Sequence, residues 1–145
     1  MTGRSAKKTI PNPKIFIDTN VFFSGILWPG SVPAKAIAKA AEYGAVTSDY
    51  VIWELRRTFK AKYPDDLWRI DRFLQMMSRQ LKIIETPSVP VDDESLIRDK
   101  NDHPVLRAAV SEGVAVIISG DNDLKEAGLS HPFILSAKEF LEWEP

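Results

Sequence analysis

Short apolar runs alternate with helical patterns along the chain, and this alternation constrains the fold more than any other feature. Runs with strand character lie at residues 14–17, 45–47, 82–84, 114–118 and 133–135. The segments between them have the apolar spacing of helices, with Ser31, Asp102 and Ser136 as predicted N-caps. Strands that alternate with helices are typical of a parallel sheet covered by helices. We therefore predict an α/β fold.

Length and composition predict one domain. The chain has 145 residues, a net charge of −1 and 44% hydrophobic residues, which is enough for one packed core. We expect a single domain over residues 14–145, preceded by a disordered basic lead over residues 1–13. A helix is predicted over residues 65–80, and the charged segment 85–101, with two prolines, is predicted as a loop. Because no apolar run reaches the ~18–20 residues that a membrane span needs, we expect a cytoplasmic protein with no membrane partner.

Charge is distributed unevenly between the two parts of the chain. Residues 1–84 contain 14 basic and 7 acidic residues, whereas residues 85–145 contain 5 basic and 13 acidic residues. Such a division indicates a basic surface that faces an anionic partner, with an acidic cluster elsewhere. Chance segregation of charges onto solvated faces is the alternative.

Acidic residues stand where the predicted strands end or where helices beside them begin. They are Asp18, Glu54, Asp102, Asp121 and Asp123. Ligands of parallel α/β sheets bind at the carboxyl ends of the strands, so we expect these side chains to converge there. Crowded carboxylates are tolerable only when cations or protons neutralise them. Because the chain has no cysteine and only two histidines, the ligands would be oxygen atoms, which favours Mg²⁺ or Mn²⁺.

Each acid also has a structural explanation when it is considered alone. Asp102 precedes His103 and Pro104, a context typical of a helix N-cap, and Asp121 could cap a helix or form a turn. Glu54 could be a solvated acid on a helix. The glycine-rich phosphate-binding motifs are absent from the sequence, so a nucleotide cradle has no support.

Basic residues cluster in the two predicted helices that follow the second strand. The candidates for contact with RNA are Arg56, Arg57, Lys60, Arg69 and Arg72. Aromatic residues are interleaved with them, and cations beside aromatic rings suit a nucleic-acid backbone with unstacked bases. An ordinary solvated helix face is the alternative, since amphipathic helices normally carry Lys and Arg outside.

Four segments together resemble the PIN-domain ribonucleases, the family of VapC-type toxins. The segment IFIDTNVFFSGIL resembles the first strand and acidic motif of that family, and SDYVIWEL resembles the helix with its second acid. The segment RDKNDHPVLRAAVSEGVAVIISGDNDL resembles the part with the third acid, the alanine-rich helix, the strand and the closing acidic turn. The resemblance extends over residues 15–140.

The resemblance implies a Rossmann-like three-layer α/β/α sandwich with a central parallel sheet and a PIN-like site. By position, Asp18, Glu54, Asp102 and Asp121 would be the catalytic, metal-binding acids, and Asp123 could help to hold a second metal ion. Thr19, Asn20 and Ser119 match polar positions that orient carboxylates or water. The resemblance further implies metal-dependent cleavage of RNA by the toxin of a toxin–antitoxin pair, with an antitoxin partner and a homodimer.

Three hypotheses remain open from the sequence. The first is a Mg²⁺- or Mn²⁺-dependent endoribonuclease in which the acids hold the metal and the basic helices position RNA. The second is a catalytically weak PIN-like module that binds an antitoxin or a scaffold partner. The third is a phosphoryl-transfer or receiver-like domain with Asp18 as the nucleophile.

Overall fold

The computed structural model describes residues 12–145, and its centre is a five-stranded sheet. The strands are β1 (Ile15–Ile17), β2 (Ala45–Ser48), β3 (Leu81–Ile84), β4 (Val116–Ile118) and β5 (Phe133–Leu135). They pair in the order β3-β2-β1-β4-β5, and every pair is parallel. All carboxyl ends of the strands therefore lie at one edge of the sheet.

Seven α-helices connect and follow these strands in the described residues. They are α1 (Thr19–Leu27), α2 (Val32–Tyr43), α3 (Asp49–Lys62), α4 (Trp68–Met76), α5 (His103–Glu112), α6 (Asn122–Glu126) and α7 (Ala137–Glu142). Short 3₁₀ turns occupy Pro64–Asp66, Asp92–Leu96 and Lys100–Asp102. Ser31, Ser48 and Ser136 accept hydrogen bonds from the first turns of α2, α3 and α7, which explains where these helices begin.

The order of the strands divides the helices between the two faces of the sheet. The chain moves from β1 outward to β3 through helices α1 to α4, and then returns past β1 to β4 and β5 through α5 and α6. Parallel crossovers are right-handed, so connections that run in opposite directions cover opposite faces. The predicted three-layer α/β/α sandwich is confirmed.

The core sits around the two central strands. All residues of β1 and β4 are buried, as the continuous apolar runs IFI and VII predict for strands covered on both faces. Phe22 of α1 and Leu106 of α5 are fully buried against this sheet. Packing on both faces holds the two central strands in place, and it therefore also fixes the positions of the residues that directly follow them.

Of two local predictions, the helix needs correction and the loop is confirmed. The helix predicted over residues 65–80 is shorter, because a 3₁₀ turn at Pro64–Asp66 precedes α4 and α4 ends at Met76. The segment 85–101 is a loop with two 3₁₀ turns, and buried Glu94 fixes it to α5 by hydrogen bonds from Arg107 of 3.0 and 2.9 Å. Of the basic lead predicted over residues 1–13, residues 1–11 lie outside the described residues.

The helices were also compared with the length and apolarity of a membrane span. Among the described residues, no single helix is long and apolar enough to cross a membrane. Only α1 and α2 taken together have that length and composition, and they are bent by 113° at their break.

Candidate functional site

The polar site lies at the carboxyl edge of the sheet, between β1 and β4. After β1 the chain continues toward β2, and after β4 it continues toward β5, on the opposite side of the sheet. The connecting segments therefore diverge and leave a crevice between the ends of β1 and β4. Asp18 follows β1 directly, and Ser119 follows β4. The backbone N–H of Asp18 donates to the carbonyl of Ile118 at 3.0 Å, which holds the two strand ends side by side.

Asp18 is the most constrained acid of the site. Its side chain is buried, and its Oδ1 atom accepts a hydrogen bond of 2.7 Å from the backbone N–H of Thr19. The Oδ2 atom accepts a second bond of 2.7 Å from Ser119 Oγ. Burial raises the pKa of Asp18 to about 6, although these two hydrogen bonds act in the opposite direction.

Glu54 reaches the same crevice from α3. The hydroxyl of Thr19 donates to its Oε1 atom at 2.7 Å, so α1 and α3 are joined across the site. Tyr50 Oη lies 3.2 Å from Glu54 Oε2 and 2.8 Å from the carbonyl of Asn101, either of which can accept its one proton. Burial and the charge of Glu54 raise the pKa of Tyr50, so this hydroxyl stays a donor.

Asp102 lies at the start of α5, but its side chain is not the predicted helix cap. It makes no capping hydrogen bond, and its Oδ2 atom is buried with no hydrogen-bond partner among the described residues. Burial and the neighbouring acids Asp121 and Asp18 raise its pKa to about 8. A buried carboxylate oxygen without a donor is costly, so a bound proton or a cation is needed to compensate it.

Asp121 stands at the turn after β4, where it does cap a helix. Its Oδ1 atom accepts a bond of 2.7 Å from the backbone N–H of Asp123, and its own N–H donates to Ser119 Oγ at 3.0 Å. Asn20 supports this turn, since its Oδ1 atom accepts from the N–H of Gly120 at 3.2 Å. A Cβ atom at Gly120 would lie 3.2 Å from Asn20 Nδ2, so the close approach favours glycine.

The four predicted catalytic acids line one cavity of about 230 Å³, which we call the acidic cavity. Its lining consists of Asp18, Thr19, Asn20, Phe23, Glu54, Thr58, Lys62, Asp102 and Asp121. Phe23, Thr58 and Lys62 were not predicted as site residues. The helical repeat could have found two of them, because Thr58 and Lys62 follow Glu54 at four-residue steps on α3.

Asp123 lies outside the lining of the acidic cavity, although it is close to Asp102. Carboxylate oxygens of Asp99, Asp102 and Asp123 lie within 4.8 Å of one another, a spacing that could hold a metal ion. Asp99 is therefore a candidate ligand that was not singled out from the sequence. Asp123 already has a cationic partner, because Arg98 Nε and Nη2 donate to its Oδ1 atom at 3.0 and 2.8 Å.

The possible metal-ligand atoms of the acidic cavity fit a hard divalent cation. They are carboxylate oxygens, and they include the unpaired Oδ2 atom of Asp102. Such a set suits Mg²⁺ or Mn²⁺ rather than a soft metal. A divalent ion would also offset the burial and the neighbouring negative charges that raise the pKa of Asp102.

The predicted RNA-binding residues do not all line one cavity. Arg56 pairs with Asp71 on α4 at 2.7 Å, and Lys60 is exposed. Arg69 and Arg72 line an apolar cavity of about 440 Å³ between α1, α2 and α4, away from the acids. Of the five, Arg57 alone borders a cavity that also includes Glu54.

Comparison with known sequences finds two matches over most of the chain. A sequence profile of the PIN domain matches residues 14–123. Uncharacterized protein MJ1680 of Methanocaldococcus jannaschii is 32% identical over 119 residues, which covers 77% of this chain and 72% of that protein.

Solved structures with a similar fold have lower sequence identity. VapBC2 from Rickettsia felis, bound to a DNA fragment from its promoter, has a TM-score of 0.63 at 17% identity and covers 84% of this chain and 96% of its own. FitAB bound to the IR36 DNA fragment has a TM-score of 0.61 at 15% identity, with coverages of 85% and 94%. VapC20 of Mycobacterium tuberculosis, described as a toxin that cleaves the sarcin-ricin loop, has a TM-score of 0.54 at 16% identity, with coverages of 79% and 95%.

Proposed function

Because the chain belongs to the PIN-domain family of nucleases, we propose that it is a Mg²⁺- or Mn²⁺-dependent endoribonuclease. The observation that carries the proposal is the convergence of Asp18, Glu54, Asp102 and Asp121 on one cavity. Asp18 and Asp121 are about 100 positions apart in the sequence, and gathering four acids of which two are buried has a cost that a structural role does not repay. A divalent cation that neutralises the acids, and that in turn binds a phosphodiester substrate, explains that cost.

Asp18, Glu54, Asp102 and Asp121 would hold the metal, and Asp99 and Asp123 lie close enough to Asp102 to assist. A divalent cation in such a site supplies Lewis-acid stabilisation of a phosphoryl oxygen and makes water a stronger nucleophile at neutral pH. The protein keeps the carboxylates in fixed directions. Ser119 orients Asp18 and Thr19 orients Glu54, each through a hydrogen bond of 2.7 Å from its hydroxyl.

Lys62 complements the acids with positive charge at the border of the acidic cavity. It is exposed, and its Nζ atom lies 5.7 Å from the centre of the Phe23 ring. A cation beside four carboxylates can attract the phosphate that is to be cleaved, which bare acids would repel. The proposed reaction thus uses the acids for the metal and Lys62 for the substrate.

Cleavage of RNA by the purified protein tests the proposal. We expect fragments from mixed RNAs with Mg²⁺ or Mn²⁺, and none with EDTA. Asp18→Asn and Asp102→Asn should each lower the rate by at least about 10³-fold, because each removes a ligand charge that the chemistry requires. Asp93→Asn, at an exposed aspartate of the loop, is the matched control and should cleave normally. Full activity of Asp18→Asn would refute the proposal.

The proposal extends to a toxin role with an antitoxin partner. Two of the similar structures are complexes described as VapBC2 and FitAB, which favours a partner protein for this chain as well. The apolar cavity between α1, α2 and α4 supports it, since Trp68 and Met76 there are 57% and 71% exposed. The predicted homodimer and cytoplasmic location belong to the same proposal. Growth arrest on expression, relieved by co-expression of a neighbouring antitoxin gene, would test this role.

A catalytically weak binding module is the second candidate. It would use the apolar cavity and would not need the acids. Mn²⁺ titration separates the two, because a metal that binds the folded protein raises its melting temperature. A rise in wild type that is lost in Asp102→Asn favours the nuclease, and no rise favours the module. Asp18 as a phosphorylated nucleophile is disfavoured, since both of its oxygens accept hydrogen bonds and the side chain is 5% exposed.

A further inference from the structure

A furrow of about 320 Å³ continues the acidic cavity along α3. It is lined by Glu54, Arg57, Thr58, Ala61 and Lys62, and it shares three of these residues with the acidic cavity. Two of its five lining residues are cations. Arg57 has no carboxylate within 4.0 Å among the described residues, so its guanidinium is available to an anionic ligand.

An aromatic surface adjoins this furrow on the solvent side. Trp53 is 54% exposed, although it immediately precedes the predicted ligand Glu54 on α3. The Arg57 guanidinium lies 5.3 Å from the centre of the indole ring, and the Tyr50 ring lies 5.9 Å from it. We call Tyr50, Trp53 and Arg57 the Trp53 platform. Residues at i, i+3 and i+7 share a helix face, so the platform is one continuous surface.

The other exposed tryptophan of the basic region has a different environment. Trp68 is exposed to nearly the same extent, at 57%, but it lines the apolar cavity with Arg69 and Arg72. That cavity shares no lining residue with the acidic cavity or the furrow. Trp53 itself lines a separate cavity with Asp49 and Arg107, but its ring contacts Arg57 of the furrow and Tyr50, whose hydroxyl contacts Glu54. Trp53 and Trp68 are therefore a matched pair of exposed tryptophans of which, among the described residues, only Trp53 has a ring contact with a furrow residue.

We propose that the furrow and the Trp53 platform bind a nucleotide of single-stranded RNA next to the scissile phosphate. Arg57 and Lys62 contact its phosphate, and its unpaired base stacks on Trp53. This inference rests on the proposed ribonuclease function and assigns the residues that hold the nucleotide beside the scissile phosphate. The adjacency of cations, an exposed indole and the acidic cavity on one helix is what carries it.

The chemistry of each surface fits this occupant. Guanidinium and ammonium groups bind phosphate in the absence of any sequence readout, and an exposed indole stacks on any base. A base within a duplex has no free face to offer, so the platform selects unpaired nucleotides. An acidic protein segment would also satisfy Arg57 and Lys62, but its carboxylates offer no planar base for Trp53 to stack on.

Binding is measured without turnover, with a fluorescein-labelled single-stranded oligoribonucleotide and Ca²⁺ in place of Mg²⁺. Anisotropy gives the affinity, and a gel confirms that the RNA is intact. Trp53→Ala should weaken binding about 10-fold or more through the loss of stacking, and Trp53→Phe should restore most of it. Trp68→Ala is the control and should bind as wild type does. Arg57→Gln should weaken binding and reduce the salt dependence by about one phosphate contact.

Intrinsic fluorescence adds a readout that a general loss of structure cannot imitate. RNA should quench tryptophan emission in wild type and in Trp68→Phe, whereas the quenching should be largely lost in Trp53→Phe, which still binds. A duplex of the same sequence should bind more weakly and should be insensitive to Trp53→Ala.

Two results would overturn the inference. One is equal weakening by Trp53→Ala and Trp68→Ala, and the other is wild-type affinity in Trp53→Ala. If wild type cleaves RNA but Trp53→Ala binds RNA normally, the role assigned to the Trp53 platform is refuted, and the proposed ribonuclease activity is not. If wild type neither binds nor cleaves RNA, both are wrong.

Discussion

Ser119 Oγ donates a hydrogen bond of 2.7 Å to Asp18 Oδ2, so a side chain after β4 fixes the acid that follows β1. The same oxygen accepts the backbone N–H of Asp121 at 3.0 Å. One buried hydroxyl therefore sets the positions of two of the four acids of the cavity. The hydroxyl of Ser119 orients these acids, since it already donates one hydrogen bond, to Asp18, and accepts one from Asp121.

Removal of this hydroxyl in Ser119→Ala should lower RNA cleavage by about 10- to 100-fold, the range typical for loss of a group that orients a metal ligand. Stability should fall by about 1–3 kcal/mol, because a buried carboxylate loses its donor. Single-turnover cleavage and urea denaturation measure the two effects. Thr47→Val is the matched control, since Thr47 is a buried hydroxyl that donates to the carbonyl of Ile17 at 2.9 Å. It should lose stability with much less loss of activity, and equal loss of activity in both variants would contradict the assigned role.

Stability of the metal-free protein should depend on pH through the acids of the cavity. Burial raises the pKa of Asp18 to about 6 and that of Asp102 to about 8, both above their ordinary value of 3.8. The folded state therefore binds protons that the unfolded chain has released, and stability falls as the pH rises from about 4 to about 8. In EDTA, we expect the melting temperature to fall by several degrees (roughly 3–10 °C) between pH 5 and pH 8.

The variant Asp102→Asn tests the origin of this pH dependence. It keeps the shape of the side chain but has no charge to neutralise, so its melting temperature should vary less with pH and exceed that of wild type at pH 8. Mn²⁺ should stabilise wild type most at high pH, where the acids are ionised. The same steep pH dependence in Asp102→Asn would place its cause elsewhere in the molecule.

Arg98 should compete with metal ions for Asp123. Its guanidinium donates two bonds to Asp123 Oδ1, and Arg98 itself is 86% exposed, so its loss should cost little stability. Arg98→Gln should free the carboxylate and bind Mn²⁺ several-fold more tightly, as isothermal titration calorimetry can measure. Arg56→Gln removes an ion pair with Asp71, and since neither residue lines the acidic cavity it should leave Mn²⁺ affinity unchanged.

The ion pair between Glu94 and Arg107 should be necessary for a folded loop. Arg107 holds the pKa of Glu94 below its usual value through two hydrogen bonds, and a third bond of 3.2 Å reaches the carbonyl of Pro87. Arg107→Ala leaves a buried charge unpaired and should cost about 3–5 kcal/mol in chemical denaturation. The double variant Glu94→Leu/Arg107→Leu should be less destabilised than Arg107→Ala alone. If the double variant lost more free energy of unfolding than Arg107→Ala, the pair would stabilise the fold beyond the neutralisation of one buried charge by the other.

The parts of the fold that depend on local pattern could be predicted from the sequence. The apolar runs gave the five strands, and Ser31 and Ser136 cap α2 and α7 as expected. Asp18 was expected at a strand end, and the parallel sheet brings it to the same edge as Asp121. Periodicity and capping act over a few residues, which is why one sequence is enough to detect them.

Features that depend on distant contacts could not be predicted. Asp102 had two predicted roles, as the cap of α5 and as one of the converging acids. The choice between them depends on the packing that brings its carboxylate into the acidic cavity beside Asp18, more than 80 positions away in the chain. The pairing of Arg98 with Asp123 depends on how the loop packs against the turn after β4, as does the closeness of Asp99 to Asp102. The separation of Arg69 and Arg72 from the acids also follows from the packing of α4 on α1 and α2. No local pattern encodes these relations.

The central position of β1 in the sheet has a consequence for synthesis of the protein. Asp18 is translated before β4, and the turn with Asp121 leaves the ribosome about 100 residues after it. A nascent chain that has only β1 to β3 has half of the carboxylates and no neighbour on one side of β1. If the protein cuts RNA as proposed, it is harmless to the messenger and the ribosome that produce it until almost all of the domain has emerged.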